Sequence, residues 1–180
     1  MNTTLPTGTL ILGVGNTLLG DEGAGVHALD LLAARMGEQP GVTLLDGGTL
    51  SFTLLPTLED AERLIVFDAA RLDAPAGTVR CFEGPEMDEF IGRPNCSVHE
   101  VGLVDLMNMS RLSGRFPRQR ALIGIQPEFV GWTDSPSAPV AAALEKAADC
   151  ALALLQDWNG TAVHPRNPVS TDGRNVDVLA

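Results

Sequence analysis

Apolar and β-branched residues gather in short, nearly continuous runs at 9–14, 42–45, 64–68, 78–82 and 121–125, each the length of a strand and too short for a helix. Between these runs the apolar positions recur at helical spacing. Residues 22–36 set Val26, Leu29, Ala33 and Met36 on one face, with Gly37 as the stop. Residues 100–112 align Leu103, Leu106, Met107 and Ser110, and Gly114 closes that helix. Ser135 and Pro136 read as the cap and first position of a last helix, whose stripe of Val140, Leu144, Ala148, Ala151 and Leu155 runs to about Trp158. A further helix is expected after Thr49. Strands alternating with helices, and strands apolar on both faces, predict a single doubly wound α/β domain: a mainly parallel sheet with helices on both faces. The run at 78–82 is the candidate for an antiparallel edge. Beyond Trp158 the chain turns polar and rich in turn residues, so the expected division is one domain over 1–158 and a loose tail over 159–180.

Composition narrows the class. The 180 residues are 44% hydrophobic and 19% charged, which excludes collagen-like, coiled-coil and wholly disordered chains. The longest apolar runs fall far below the ~20 residues of a bilayer helix, and no secretory pattern follows Met1, so a cytoplasmic protein without membrane insertion is expected. Twelve basic against 23 acidic residues give a net charge of −11, which repels nucleic acid. The nearest basic patch, Arg111, Arg115, Arg118 and Arg120, has Phe116 as its one interleaved aromatic and reads as a solvated loop or a docking patch for an acidic partner. Cys81, Cys96 and Cys150 are odd in number and not closely paired, which fits a reduced compartment and small core residues better than nucleophiles.

Ligands of open α/β sheets collect beyond the carboxyl ends of the strands, so polar residues there weigh most. Gly13-Val14-Gly15-Asn16 follows the first strand and leads to Asp21-Glu22-Gly23-Ala24-Gly25 at a helix start. Asp46-Gly47-Gly48-Thr49 follows the second strand, Asp68 ends the third, and His99 precedes the third helix. Two carboxylates and an imidazole converging there would make an oxygen and nitrogen site suited to Ni, Zn or Mn, with coordination positions left open. Each residue also has a plain structural reading. The helix dipole favours Glu22 in a first turn, Asp21 reads as the cap, and His99 as a packing or capping residue. Asp68, ending an apolar strand, needs a partner, a cap role or a metal. His27 and His164 lack strand-end acids and read as structural and tail residues. A dinucleotide fingerprint fails, because its third glycine falls on Leu18 and Asp21-Glu22 would repel a pyrophosphate.

Taken jointly, these segments, with Asp68-Ala69, His99-Glu100-Val101-Gly102-Leu103 and Gly124-Ile125-Gln126-Pro127-Glu128, resemble the nickel-iron hydrogenase maturation endopeptidases over roughly 10–155. The resemblance implies a twisted five-stranded sheet between helices. It also implies a hydrolase that removes a short C-terminal extension from the nickel-loaded precursor of a hydrogenase large subunit, a late maturation step. Glu22, Asp68 and His99 would then be the catalytic and metal-contacting set, with Asp46, Gly47 and Gly48 as a substrate-binding turn. Nickel would arrive in the thiolates of the precursor, so its presence would gate cleavage; Zn or another divalent ion could substitute in vitro. Whether a cation or a carboxylate activates the water stays open at this point. No Ser/His/Asp or Cys/His set lies among the motifs, which argues against an acyl-enzyme. The acidic stretch 83–89 is a candidate border of the cleft for precursor docking, with a solvated loop as the alternative. A rival from another class is a nickel-binding chaperone or sensor using the same three ligands, which would bind nickel tightly on its own.

Overall fold

Five apolar runs meet as one sheet, whose inner strands are buried on both faces and must be covered twice. The computed structural model describes residues 8–94 and 100–160. Strands β1 (Thr9–Val14), β2 (Val42–Gly48), β3 (Arg63–Ala69), β4 (Val79–Glu83) and β5 (Gln119–Ile125) lie in the order β2-β1-β3-β5-β4. All neighbours are parallel except β4, which runs antiparallel to β5 at the edge, as the sequence suggests for that run. Side chains alternate between two cores. Ile11, Ile65, Phe67 and Ile123 pack with Leu29 and Leu32 of α1 (Ala24–Met36) and with Val140, Ala147, Ala151 and Leu154 of α5 (Ala138–Gly160). On the other face Leu10, Leu12, Leu64, Val66 and Leu122 meet Leu58 of α2 (Leu55–Glu59), Met87 and Phe90 of α3 (Pro85–Ile91), and Leu103 and Met107 of α4 (Glu100–Leu112).

Several local expectations shift. Helix α4 has the expected bounds, and buried Ser110 donates to the Arg115 carbonyl at 2.9 Å where the helix ends. In α1 the core positions are Ala28, Leu29 and Leu32, while Ala33 and Met36 are only half-buried. Helix α5 starts at Ala138 rather than at Pro136. The helix after Thr49 is a 3-10 turn, Phe52–Leu54, capped by Ser51 and followed by the short α2.

The acidic stretch 83–89 is not a loop: it closes β4 and forms most of α3, which buries Met87, Phe90 and Ile91. Its Asp88 accepts from both Arg120 and Arg111, whose guanidinium carbons lie 4.7 and 4.3 Å from the Phe116 ring centroid. Arg115 pairs with Asp60 at 3.7 Å. Arg120 is mostly buried against the chain's own Asp88, whereas Arg111, Arg115 and Arg118 remain exposed at the surface. Cys150 is half-buried against the α1–α5 core, whereas Cys81 is exposed on β4 rather than a core residue. Desolvation at the sheet edge, reinforced by the Glu83 carboxylate, pushes the Cys81 thiol up to about 12, so it is not a ready nucleophile. Cys96, His99, His164 and residues 161–180 lie outside the described residues. No helix among the described residues is long and apolar enough to cross a membrane.

At Gly25, in the first turn of α1, the side chain is missing where a Cβ would overlap the carbonyl oxygens of both Val14 and Phe67. That absence lets α1 press onto the carboxyl ends of β1 and β3. Gly25→Ala is expected to cost about 3 kcal/mol or more of unfolding free energy, read as a lowered midpoint in urea denaturation. An unchanged midpoint would show that the helix can lift off these strand ends freely.

Candidate active site

The carboxyl ends of β1, β3 and β5 carry the candidate chemistry, and the loops that leave β1 and β5 meet there. From β1 the chain runs through residues 15–20 into a 3-10 turn, Asp21–Gly23, which packs on β3 and leads into α1. Asp21 and Glu22 are both buried, at 0% and 8% exposure. Asp21 is not a helix cap. The N-cap positions of the turn and of α1 are Gly20 and Gly23, and neither makes a side-chain cap bond. Instead the Asp21 carboxylate accepts from the backbone amides of Glu128 (2.8 Å), Phe129 (2.9 Å) and Ser137 (2.6 Å) and from the Ser137 hydroxyl (2.8 Å). Ser137 stands at the entry to α5, where its amide has no acceptor within the helix and its carbonyl accepts from Ala141 at 2.8 Å. Burial by itself would raise the Asp21 pKa; the hydrogen bonds from residues 128, 129 and 137 outweigh it and hold the carboxyl below its ordinary value of 3.8.

Asp68 is the penultimate residue of β3 and is 2% exposed. Strand alternation puts it on the face of Leu64 and Val66, the face covered by α2, α3 and α4. In β5 its partner is Gly124, which allows Ala70 and Leu72 to fold close over the strand end: a Cβ on Gly124 would sit 2.9 Å from that of Ala70. Glu22 and Asp68 therefore share one end of the sheet, on elements packed against each other. His99, the third member of the expected set, lies outside the described residues; it immediately precedes Glu100, the first residue of α4. Among the described residues no three His, Cys, Asp or Glu side chains gather to hold a metal ion.

Asp46, Gly47 and Gly48 close β2, which β1 separates from β3. Exposed Asp46 is not the cap of the following turn, a role Ser51 takes; its Oδ1 accepts from the Gly48 amide at 2.8 Å, an Asx-type turn. The Gly48 carbonyl then accepts from Gly15 at 2.8 Å and ties this turn to the loop after β1. Gln126, in the motif after β5, likewise braces a strand-end loop, its Oε1 accepting from the Leu72 amide at 2.7 Å.

The sequence reading missed two features of this end of the sheet. One is the anchoring role of Asp21, detectable only as an acid paired in space with residues more than a hundred positions away. The other is the loop 128–133, whose Phe129 and Trp132 are exposed and which pairs with residues 18–21 through backbone hydrogen bonds. Its signal was in plain view, as large apolar residues in a Gly, Asp and Ser-rich stretch of a chain with only 4% aromatics.

Comparison with known proteins gives a consistent picture. The sequence model of a family described as hydrogenase maturation protease matches residues 26–154. A hydrogenase expression/formation protein of Azotobacter chroococcum is 39% identical over 158 residues, covering 87% of this chain and 75% of its own length. The hydrogenase 2 maturation protease of Escherichia coli is 34% identical, with 89% and 97% covered. Among solved structures, the hydrogenase maturating endopeptidase HybD from E. coli superposes with a TM-score of 0.79 at 32% identity, over 84% of this chain and 93% of that one.

Asp21 supplies a test of the site's framework. Asp21→Asn replaces an acceptor of four hydrogen bonds with a group that carries its own donors, and is expected to cost about 2–3 kcal/mol at neutral pH. Because the folded carboxyl titrates below 3.8, the folded state holds the proton less tightly than the unfolded one, so its contribution is full above that pH and fades below it. Urea titrations should therefore show the gap between wild type and variant shrinking as pH falls below the ordinary aspartate value; a gap independent of pH would refute the charged-anchor account.

Proposed function

The chain belongs to the hydrogenase maturation protease family, and on that premise we propose that it removes a short C-terminal extension from the nickel-loaded precursor of a nickel-iron hydrogenase large subunit. The observation that carries the reading is the pair of buried carboxylates, Glu22 and Asp68, at adjoining strand ends in a chain of this family. Carboxylates are costly to bury without a purpose, and two at one sheet end form an oxygen donor set that suits a divalent cation.

In this reading nickel is part of the substrate. It enters held by precursor thiolates, and Glu22, Asp68 and His99 fill its remaining coordination positions with two oxygens and a nitrogen. Binding the metal thereby sets the scissile peptide against the same carboxylates, so orientation and metal inspection become one event. A precursor without nickel lacks that anchor and is left uncut. The Asp46-Gly47-Gly48 turn, tied to the loop after β1, flanks the approach and contacts the precursor chain. Water rather than a side chain is the nucleophile, a reading supported by the absence of a Ser/His/Asp or Cys/His set among the motifs of the sequence. The reaction belongs in the cytoplasm, in keeping with the free Cys81 and Cys150.

The test is a gel-mobility assay with nickel-loaded and nickel-free precursor. The loaded form alone should be cut, and Glu22→Gln and Asp68→Asn should each lower kcat/KM at least about 100-fold with the fold intact by circular dichroism. Cleavage of both forms would remove nickel gating from the account. If neither form is cut while the E. coli relative cuts the loaded one, and the isolated protein binds nickel tightly, a metal-holding chaperone is the better reading.

A further inference from the structure

We propose that Leu18, Phe129, Val130 and Trp132 form an apolar platform that grips an apolar stretch of the precursor polypeptide and steadies it across the candidate site. The inference rests on the protease reading above and adds to it the surface that receives the substrate chain.

The chain has six Phe and two Trp, and one of each stands in the loop 128–133. Trp132 is 85% exposed, Phe129 55%, Val130 49% and Leu18 58%, whereas Trp158 is 5% exposed in the α5 core. Leaving a large apolar side chain in water forgoes roughly 1.5–3 kcal/mol of burial, and clustered exposure of this kind marks an interaction surface. The backbone beneath is braced rather than slack. Asp21 holds the amides of Glu128 and Phe129, Gly20 donates to the Thr133 carbonyl at 2.8 Å, and Thr133 donates back to Leu18 at 3.2 Å. Phe129 folds its ring against Gly131, where any side chain would collide with it. The platform is thus presented on a fixed frame, which lowers the ordering cost of binding.

Continuity with the reaction site selects the occupant. Residues 18–20 run directly into the turn that carries Glu22, which sets the platform beside the candidate site at the same end of the sheet. An extended chain offers side chains on one side every ~6.6 Å, a spacing at which two or three apolar residues can seat on Leu18, Phe129 and Trp132 together. Exposed Glu128 and Asp134 border the platform, so the gripped stretch is apolar and not acidic.

Full-length protein labelled with 5-fluorotryptophan tests this by fluorine NMR, because Trp132 and Trp158 give two resonances that Trp132→Phe assigns. Adding nickel-loaded precursor should shift or broaden the Trp132 resonance and spare that of Trp158. In the cleavage assay Trp132→Ala and Phe129→Ala should each raise KM about tenfold or more while kcat changes less than about twofold, the behaviour of a binding contact remote from the bond broken. An unmoved Trp132 resonance, or unchanged KM in both variants while wild type cleaves, overturns the proposal. So does broadening that grows with the protein's own concentration without precursor, which would assign the patch to a second copy of this chain. A wild type that cuts nothing but whose Trp132 resonance responds to precursor would sink the protease reading and keep the platform; no cleavage and no response would sink both.

Discussion

The carboxylate of Asp21 draws together backbone amides that lie 107 to 116 residues further along the chain, and the working end of the molecule is organised around it. Strands β1 and β5 are not neighbours, since β3 runs between them. When the loop after β5 is hydrogen-bonded to the turn after β1, the two must meet across the end of β3. Asp68 lies at that end and is buried there. A buried charge would ordinarily be a liability; four donors turn it into the fastener of the site. Glu22 inherits its position from the same fastening, because it is the next residue in the same short turn.

The fastening works only because the underlying packing is close. Gly25 brings the start of α1 onto the Val14 and Phe67 carbonyls, and Gly124 leaves room beside Asp68 for Ala70 and Leu72. Both are positions where a missing side chain permits contact that any larger residue would forbid. Helix, strand ends and loops then form a single rigid unit. Rigidity of that kind suits groups that must meet a metal and a peptide in one fixed geometry.

Much of this was legible from one sequence, and what was not has identifiable causes. Strands of a doubly covered parallel sheet are continuous apolar runs, so β1 and β5 stood out, and the antiparallel edge β4 was recognisable as the run that interrupts the alternation with helices. Helix α4 was legible because its core positions fall at regular spacing and Gly114 closes it. Helix α3 was not, because seven residues with three acids look solvated until Arg111 and Arg120 arrive from elsewhere to meet Asp88. The start of α5 was placed two residues early: Ser135-Pro136 is a good local start, but the residue that enters the helix is Ser137, whose amide and hydroxyl meet the distant Asp21. Local chemistry was readable, while long-range pairing was not. For the site, Glu22 and Asp68 were singled out by their places at strand ends, and the structure does bring their elements together; Asp21 was read as a cap because its partners are distant in sequence.

The distribution of charge bears on how such a protein handles its substrate. With a net charge of −11, and with Arg111, Arg115 and Arg120 each paired to one of the chain's own carboxylates, the basic groups stand among acids that offset them. The strand ends bury the side chains of Glu22 and Asp68 away from water, a setting in which a charge is weakly screened. In the proposed reading these carboxylates favour a cation and repel other carboxylates, so whatever approaches them must bring positive charge or none. A precursor that carries its own metal meets that condition at the centre, and apolar side chains on a braced rim meet it at the periphery. On these two proposals the buried acids select by electrostatics and the exposed aromatics by desolvation. These two kinds of recognition act on different parts of one polypeptide and interfere little with each other.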